Sequence, residues 1–202
     1  MRARLALASA GVQVELREIL LRDKAPEFLA TSPSGTVPCL QAGDLVFDES
    51  RDIMMWALAQ NDPESWLDMP HAGHALIDMI EGPFKRALDR YKYSTRYDDA
   101  DKLAEREIAS RYLHQLDERL TGRDWLFGDA PTLADMAILP FVRQFAMTDK
   151  AWFDAQDWRG LHAWLTLFLE SERLAQVMSK YQVWKSGDEP IHFPWPLRFG
   201  LN

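Results

Sequence analysis

Apolar positions along the first sixty residues change their spacing from element to element. Leu5, Leu7 and Ala8 sit among small residues over 2–10 and the run stops at Gly11, which predicts a helix closed by a C-terminal glycine. Val12, Val14 and Leu16, with Glu18 as a further inward position, alternate with Gln13, Glu15 and Arg17, the period of a strand with one buried face. Lys24 to Ala30 reads as a short helix that carries Pro26 in its first turn. Cys39 to Gln41 and Leu45 to Phe47 flank Ala42-Gly43-Asp44, a turn between two short strands. Over 49–60, Ile53, Met54, Trp56 and Ala57 share one side of a helix.

The strand period ends at Asn61-Asp62-Pro63, and 63–70 reads as a connector. Leu76, Met79, Ile80, Phe84, Leu88 and Tyr91 then keep the spacing of one long helix, with a kink expected at Gly82-Pro83. Asp98 and Asp99 are read as helix starters before the stripe of Ala109, Tyr112, Leu113, Leu116 and Leu120. Further helices are expected over 132–145, 158–169 and, shorter, 174–178. Thr132 with Asp135 three residues on spells a capping box with Asp in the acidic place. The Pro-rich, aromatic tail after Gly187 matches no regular element.

Charge narrows the partners. A formal net charge of −8 and the absence of a clustered basic face argue against a nucleic acid. An anionic ligand would depend on local positive groups. A single cysteine, Cys39, excludes an internal disulfide and suits a reducing cytoplasm. No apolar run approaches the roughly 18 residues of a membrane span, so a soluble, cytoplasmic chain is expected.

The densest chemistry lies in Ser32-Pro33-Ser34-Gly35-Thr36-Val37-Pro38-Cys39-Leu40 and in Asp48-Glu49-Ser50. Pro38 interrupts an apolar run that otherwise reads as strand. It cannot donate to a ladder, which places it at an edge or in a tight turn, with a cis Val37-Pro38 bond expected. These residues resemble the turn before the third strand and the γ-glutamyl recognition pair of the cytosolic glutathione transferase superfamily. Gly128-Asp129-Ala130-Pro131-Thr132-Leu133-Ala134-Asp135 is similar to that family's helix-capping signature, and the Cys-type or omega-like branch is the nearest likeness.

The resemblance implies a thioredoxin-like α/β domain over 1–62 and an all-α domain over 69–202. It implies glutathione as a substrate, with no metal, and a small electrophile as co-substrate. Lys24 would face the glycyl carboxylate, Val37 before Pro38 would pair with the cysteinyl backbone, Ser50 would hold the γ-glutamyl carboxylate and Glu49 its ammonium. The family's first strand and its thiol-activating residue would precede Met1, so no catalytic residue is assigned and impaired turnover is expected. The strands that remain are then expected to be filled by another segment, such as the Pro-rich tail or a partner chain, or else to be distorted. A homodimer is implied as well, with Met54, Met55 and Met79 as exposed contributors. The rival class is a non-catalytic binding or interaction module on the same fold.

Each residue also has a plain structural reading. Glu49 and Ser50 suit any helix start, and Lys24 suits a solvated surface. Cys39 reads as a small core residue rather than a nucleophile. His71 and His74 lack a third metal ligand, and Asp98, Asp99 and Asp101 suit capping. Phe84, Tyr91 and Tyr93 fit either a core or an electrophile pocket wall, for which the tail 191–196 is a candidate cover.

Overall fold

A computed structural model describes residues 1–194; Trp195 and Pro196 of the candidate cover lie outside the described residues. The chain divides into two compact units. One comprises Met1–Glu64 with the described residues from Glu172 onward, the other Ser65–Ser171. The first unit holds α1 (Arg2–Ala10), β1 (Val14–Glu15), α2 (Pro26–Thr31), β2 (Leu40–Ala42), β3 (Leu45–Phe47) and α3 (Ser50–Gln60). The second holds α4 (His71–Met79), α5 (Lys85–Lys92), α6 (Lys102–Leu120), α7 (Leu133–Ala146), α8 (Lys150–Asp154) and α9 (Arg159–Leu169). The first unit is completed by α10 (Glu172–Val177) and β4 (His192–Phe193).

In the first unit, α1 and α3 pack against each other, and Ala3, Ala6, Leu7 and Ala10 of α1 and Ile53, Met54, Ala57 and Leu58 of α3 are buried. They run in the same direction. At their starts Arg2 Nη1 donates to Ser50 Oγ at 3.0 Å, and at their ends Asn61 Nδ2 donates to the Ala10 carbonyl at 3.0 Å. Gly11 closes α1 in the left-handed region at φ 65°, where a side chain would be strained. Met54 is core rather than an exposed contact residue, because it shares the buried face of α3 with Ile53, Ala57 and Leu58; Met55 and Met79 are half-buried.

β2 and β3 form the expected hairpin, antiparallel, with Leu40 opposite Phe47 and Ala42 opposite Leu45. The strand expected over 12–18 shortens to Val14–Glu15, and its partner is the tail: Val14 pairs with Phe193 and Glu15 with His192, antiparallel. Leu16 N–H continues the pairing to the Ile191 carbonyl, and Trp184 N–H donates to the Glu18 carbonyl at 2.8 Å. A tail that matched no element by itself thus becomes a strand by pairing. Arg4 clasps it. Its guanidinium bonds Glu18 at 2.7 Å, donates to the Val177 and Ser179 carbonyls, and lies over the rings of Tyr181 and Phe193. Arg173 adds a two-pronged bond to Glu64, at 2.8 and 2.5 Å, and the described residues beyond 171 join the first unit rather than the helical one.

The helical unit breaks its first long helix where expected. Ile80–Phe84 forms a π turn around Gly82-Pro83, since Pro83 offers no N–H to the regular ladder. Phe84 and Tyr91 are core residues, ringed by Tyr112 and Phe145, while Tyr93 lies half-exposed between the cations of Lys92 and Arg96. The cap of α6 is Asp101, whose carboxylate accepts from Leu103 and Ala104 N–H; Asp99 instead pairs with Arg90. The short α8 went unseen in the sequence because five residues show no period.

Asp135 is the hub of this unit. Its carboxylate is fully buried and accepts four hydrogen bonds: Leu126 N–H and Trp164 Nε1–H on Oδ1, both at 2.9 Å, and the Thr132 N–H and hydroxyl on Oδ2, both at 2.8 Å. The capping box of α7 is present, and through Trp164 it reaches α9. Burial pushes the Asp135 carboxyl up from its ordinary value, and the four donors pull it back. Asp135→Ala leaves those donors unpaired and should cost about 3 kcal/mol, whereas Thr132→Ala should cost roughly 1 kcal/mol. Urea unfolding followed by tryptophan fluorescence checks both; equal midpoints for the two variants would contradict the hub.

Candidate functional site

The Val37-Pro38 peptide is cis, as its place in the sequence led one to expect. Val37 is exposed and precedes the β2–β3 ladder, which begins only at Leu40. The turn before it is locally built: Gly35 takes φ 62°, its N–H donates to the Ser32 carbonyl, and the Ser34 and Thr36 hydroxyls meet at 2.6 Å. Ser32 is itself buried and lies within reach of the Cys39 thiol.

Asp48 ties this turn to the start of α3. Its Oδ2 accepts from the Ser34 N–H at 3.0 Å. The Ser34 side chain first, and this N–H beside it, hold the Asp48 carboxyl below the usual carboxylate range. Glu49 follows as the N-cap of α3, extended at φ −102° and ψ 129°, with its side chain exposed. Ser50 is the first residue of the helix, half-buried, its oxygen already engaged by Arg2. Val37, Pro38, Glu49 and Ser50 are thus carried by two segments joined through one side chain. Lys24 lies on the loop that leads into α2, half-buried, outside this linkage.

Two contributors, Arg2 and Asp48, were not singled out as site residues from the sequence. Asp48 stands next to Glu49-Ser50, and its adjacency was the available signal. A cation at a helix start opposes the dipole, so Arg2 by itself pointed to no ligand role there. Cys39 is half-buried rather than fully enclosed, and burial pushes its thiol up, away from the thiolate a nucleophile needs. His71 is exposed and its ring lies 6.1 Å from that of His74. Among the described residues no group of three or more His, Cys, Asp or Glu side chains is placed to hold a metal. No helix among them is long and apolar enough to cross a membrane.

Because the Asp48 carboxyl is lowered, its bond to Ser34 is present above the ordinary aspartate range and is lost only as acid takes the pH down through that depressed value. Asp48→Ala should therefore speed amide exchange at Ser34 roughly three- to tenfold at neutral pH. Hydrogen exchange read by NMR would show it, and unchanged protection would remove Asp48 as the strut.

Known proteins resemble the chain along both units. Residues 1–66 match the family model of the glutathione S-transferase N-terminal domain, and 69–172 match that of the C-terminal domain. The chain is 30% identical over 174 residues to glutathione S-transferase 4 of Zea mays, covering 74% of each chain. It is 26% identical over 184 residues to the glutathione S-transferase-like protein LUC7 of a Fusarium species, covering 83% of this chain and 82% of that one. Among solved structures it resembles glutathione S-transferase I bound with lactoylglutathione (26% identity, TM-score 0.67, 87% of this chain and 91% of that one). It also shares the fold of a glutathione transferase family member from Pseudomonas fluorescens with two glutathione bound (20% identity, TM-score 0.73, 87% and 86%). The fold is thus a thioredoxin-like N-terminal domain with small sheets and a helical C-terminal domain.

Proposed function

The chain belongs to the glutathione S-transferase family, and from that premise we propose that it binds glutathione along the turn before β2 and the start of α3. The observation that carries the reading is the Asp48–Ser34 bond, which makes that turn and the Glu49-Ser50 helix start one surface. Glutathione is an extended anionic tripeptide. Val37 offers backbone groups to its cysteinyl unit, a one-residue form of strand addition, with Pro38 shaping the turn. Ser50 gives its N–H and hydroxyl to the γ-glutamyl carboxylate at the positive end of α3, and Glu49 faces the ammonium. Lys24 is the cation for the glycyl carboxylate.

The proposed reaction class is conjugation of glutathione to a small electrophile, or thiol transfer with it. In this chain low turnover is expected. The first turn of α1, Arg2-Ala3-Arg4-Leu5, supplies cations but no hydroxyl or thiol, and the Cys39 thiol is raised by burial rather than activated. The same observation favours the second reading, a glutathione-fold module that binds without turning over. The glutathione-binding domain is assigned to 1–62 and the helical domain to 69–171, because the described residues from Glu172 onward group with the first unit. A narrower place in the Cys-type, omega-like branch rests on the pocket sequence alone, beside relatives that include plant transferases. A cytoplasmic homodimer completes the proposal, supported by the exposed apolar Leu45 and Val46 on β3, and light scattering should give twice the mass of the 23.3 kDa chain.

Titration calorimetry with glutathione should show saturable binding that Ser50→Ala weakens roughly tenfold. Assays with a chloronitroaromatic electrophile and with a mixed glutathione disulfide should show little turnover. Brisk turnover abolished by Cys39→Ala would reinstate Cys39 as a nucleophile, and no binding at millimolar glutathione would remove the pocket.

A further inference from the structure

Arg2 is a charged residue with only 7% of its surface exposed, and its Nη1 donates to Ser50 Oγ at 3.0 Å. A guanidinium has donors and no acceptor. The Ser50 oxygen is therefore the acceptor in this bond, and its own hydroxyl proton has to point elsewhere. Ser50 is also the first residue of α3, where the backbone N–H groups have no partner within the helix. Hydroxyl and backbone donors thus converge at the positive end of an 11-residue helix, with a fixed positive charge behind them.

We infer that Arg2 is a positioning residue that commits the Ser50 hydroxyl as a donor to the α-carboxylate of a γ-glutamyl ligand. The inference rests on the glutathione reading given above. A free serine hydroxyl at a helix start rotates among several acceptors and donors; one whose oxygen is held by a guanidinium loses that freedom before the ligand arrives, and pre-organisation of this kind lowers the cost of binding. The guanidinium, bonded directly to Ser50, also adds a local favourable field for a carboxylate. The role is ligand-specific. It concerns the α-carboxylate of the glutamyl unit and leaves the cysteinyl and glycyl ends untouched.

The test is calorimetric binding of glutathione and of its analogue 4-aminobutyryl-cysteinyl-glycine, which lacks only that carboxylate. The proteins are the full chain, Arg2→Met, Arg2→Lys, Ser50→Ala and the double variant R2M/S50A. The full chain should prefer glutathione, and Arg2→Met should weaken glutathione roughly tenfold while leaving the analogue within about twofold. The double variant should bind glutathione no more than about threefold worse than Ser50→Ala, because one interaction cannot be lost twice. Arg2→Lys, which keeps charge and donors, should recover most of the loss. If Arg2→Met does not fold, Arg2→Gln replaces it with the same expected loss, its amide no longer being donor-only. Equal weakening of both ligands, multiplicative losses in the double variant, or unchanged affinity would overturn the inference and leave Arg2 a helix-packing residue. Failure of the full chain to bind glutathione at all would instead overturn the glutathione reading, and this inference with it.

Discussion

A guanidinium is buried only where acceptors meet it, and at Arg2 that requirement brings the start of α3 onto the start of α1. The candidate-site end of the first unit is arranged around it. Two helices that begin side by side, and are stitched again at their far ends by Asn61 and the Ala10 carbonyl, form a rigid pair whose small residues allow close approach. Their positive ends then lie together. The hairpin β2–β3 feeds directly into one of them, so the turn carrying Val37 and Pro38 is delivered to the same place, and Asp48 fixes it there.

The electrostatics of this arrangement are local. The chain as a whole is acidic, yet at physiological ionic strength charges farther than about 8 Å are largely screened. The field at the start of α3 is therefore set by Arg2, by the positive end of the helix and by the nearby Glu49. The second arginine of α1 acts elsewhere. Arg4 directs its donors to Glu18 and to the carbonyls of Val177 and Ser179, holding the returning tail against β1. One turn of helix therefore carries one cation toward the site and one toward the fold.

The helical unit has its own centre in Asp135, where a single carboxylate satisfies the start of α7, the preceding loop and the Trp164 indole of α9. In the same unit Phe145 meets Phe84, Tyr91, Trp152 and Phe153 through edge and tilted ring contacts. The two units thus have separate charged centres, Arg2 in the first and Asp135 in the second.

Whatever depends on neighbours a few residues apart was written in the sequence. The glycine stop of α1, the turn at Gly35, the hairpin at Gly43, the break at Pro83 and the box of Thr132 with Asp135 are each local, because caps, turns and periodic faces are settled within a turn or two of chain. The five residues proposed to hold glutathione rest on signals of the same local kind, two short motifs plus Lys24. Tertiary structure decided the partners: Arg2 with Ser50 across 48 positions, Arg4 with Val177 across 173, and the tail's conversion into a strand beside Val14. A donor-only side chain or an unpaired strand edge states in the sequence that it needs a partner, and only the folded chain, by bringing distant residues within about 3 Å, says which one.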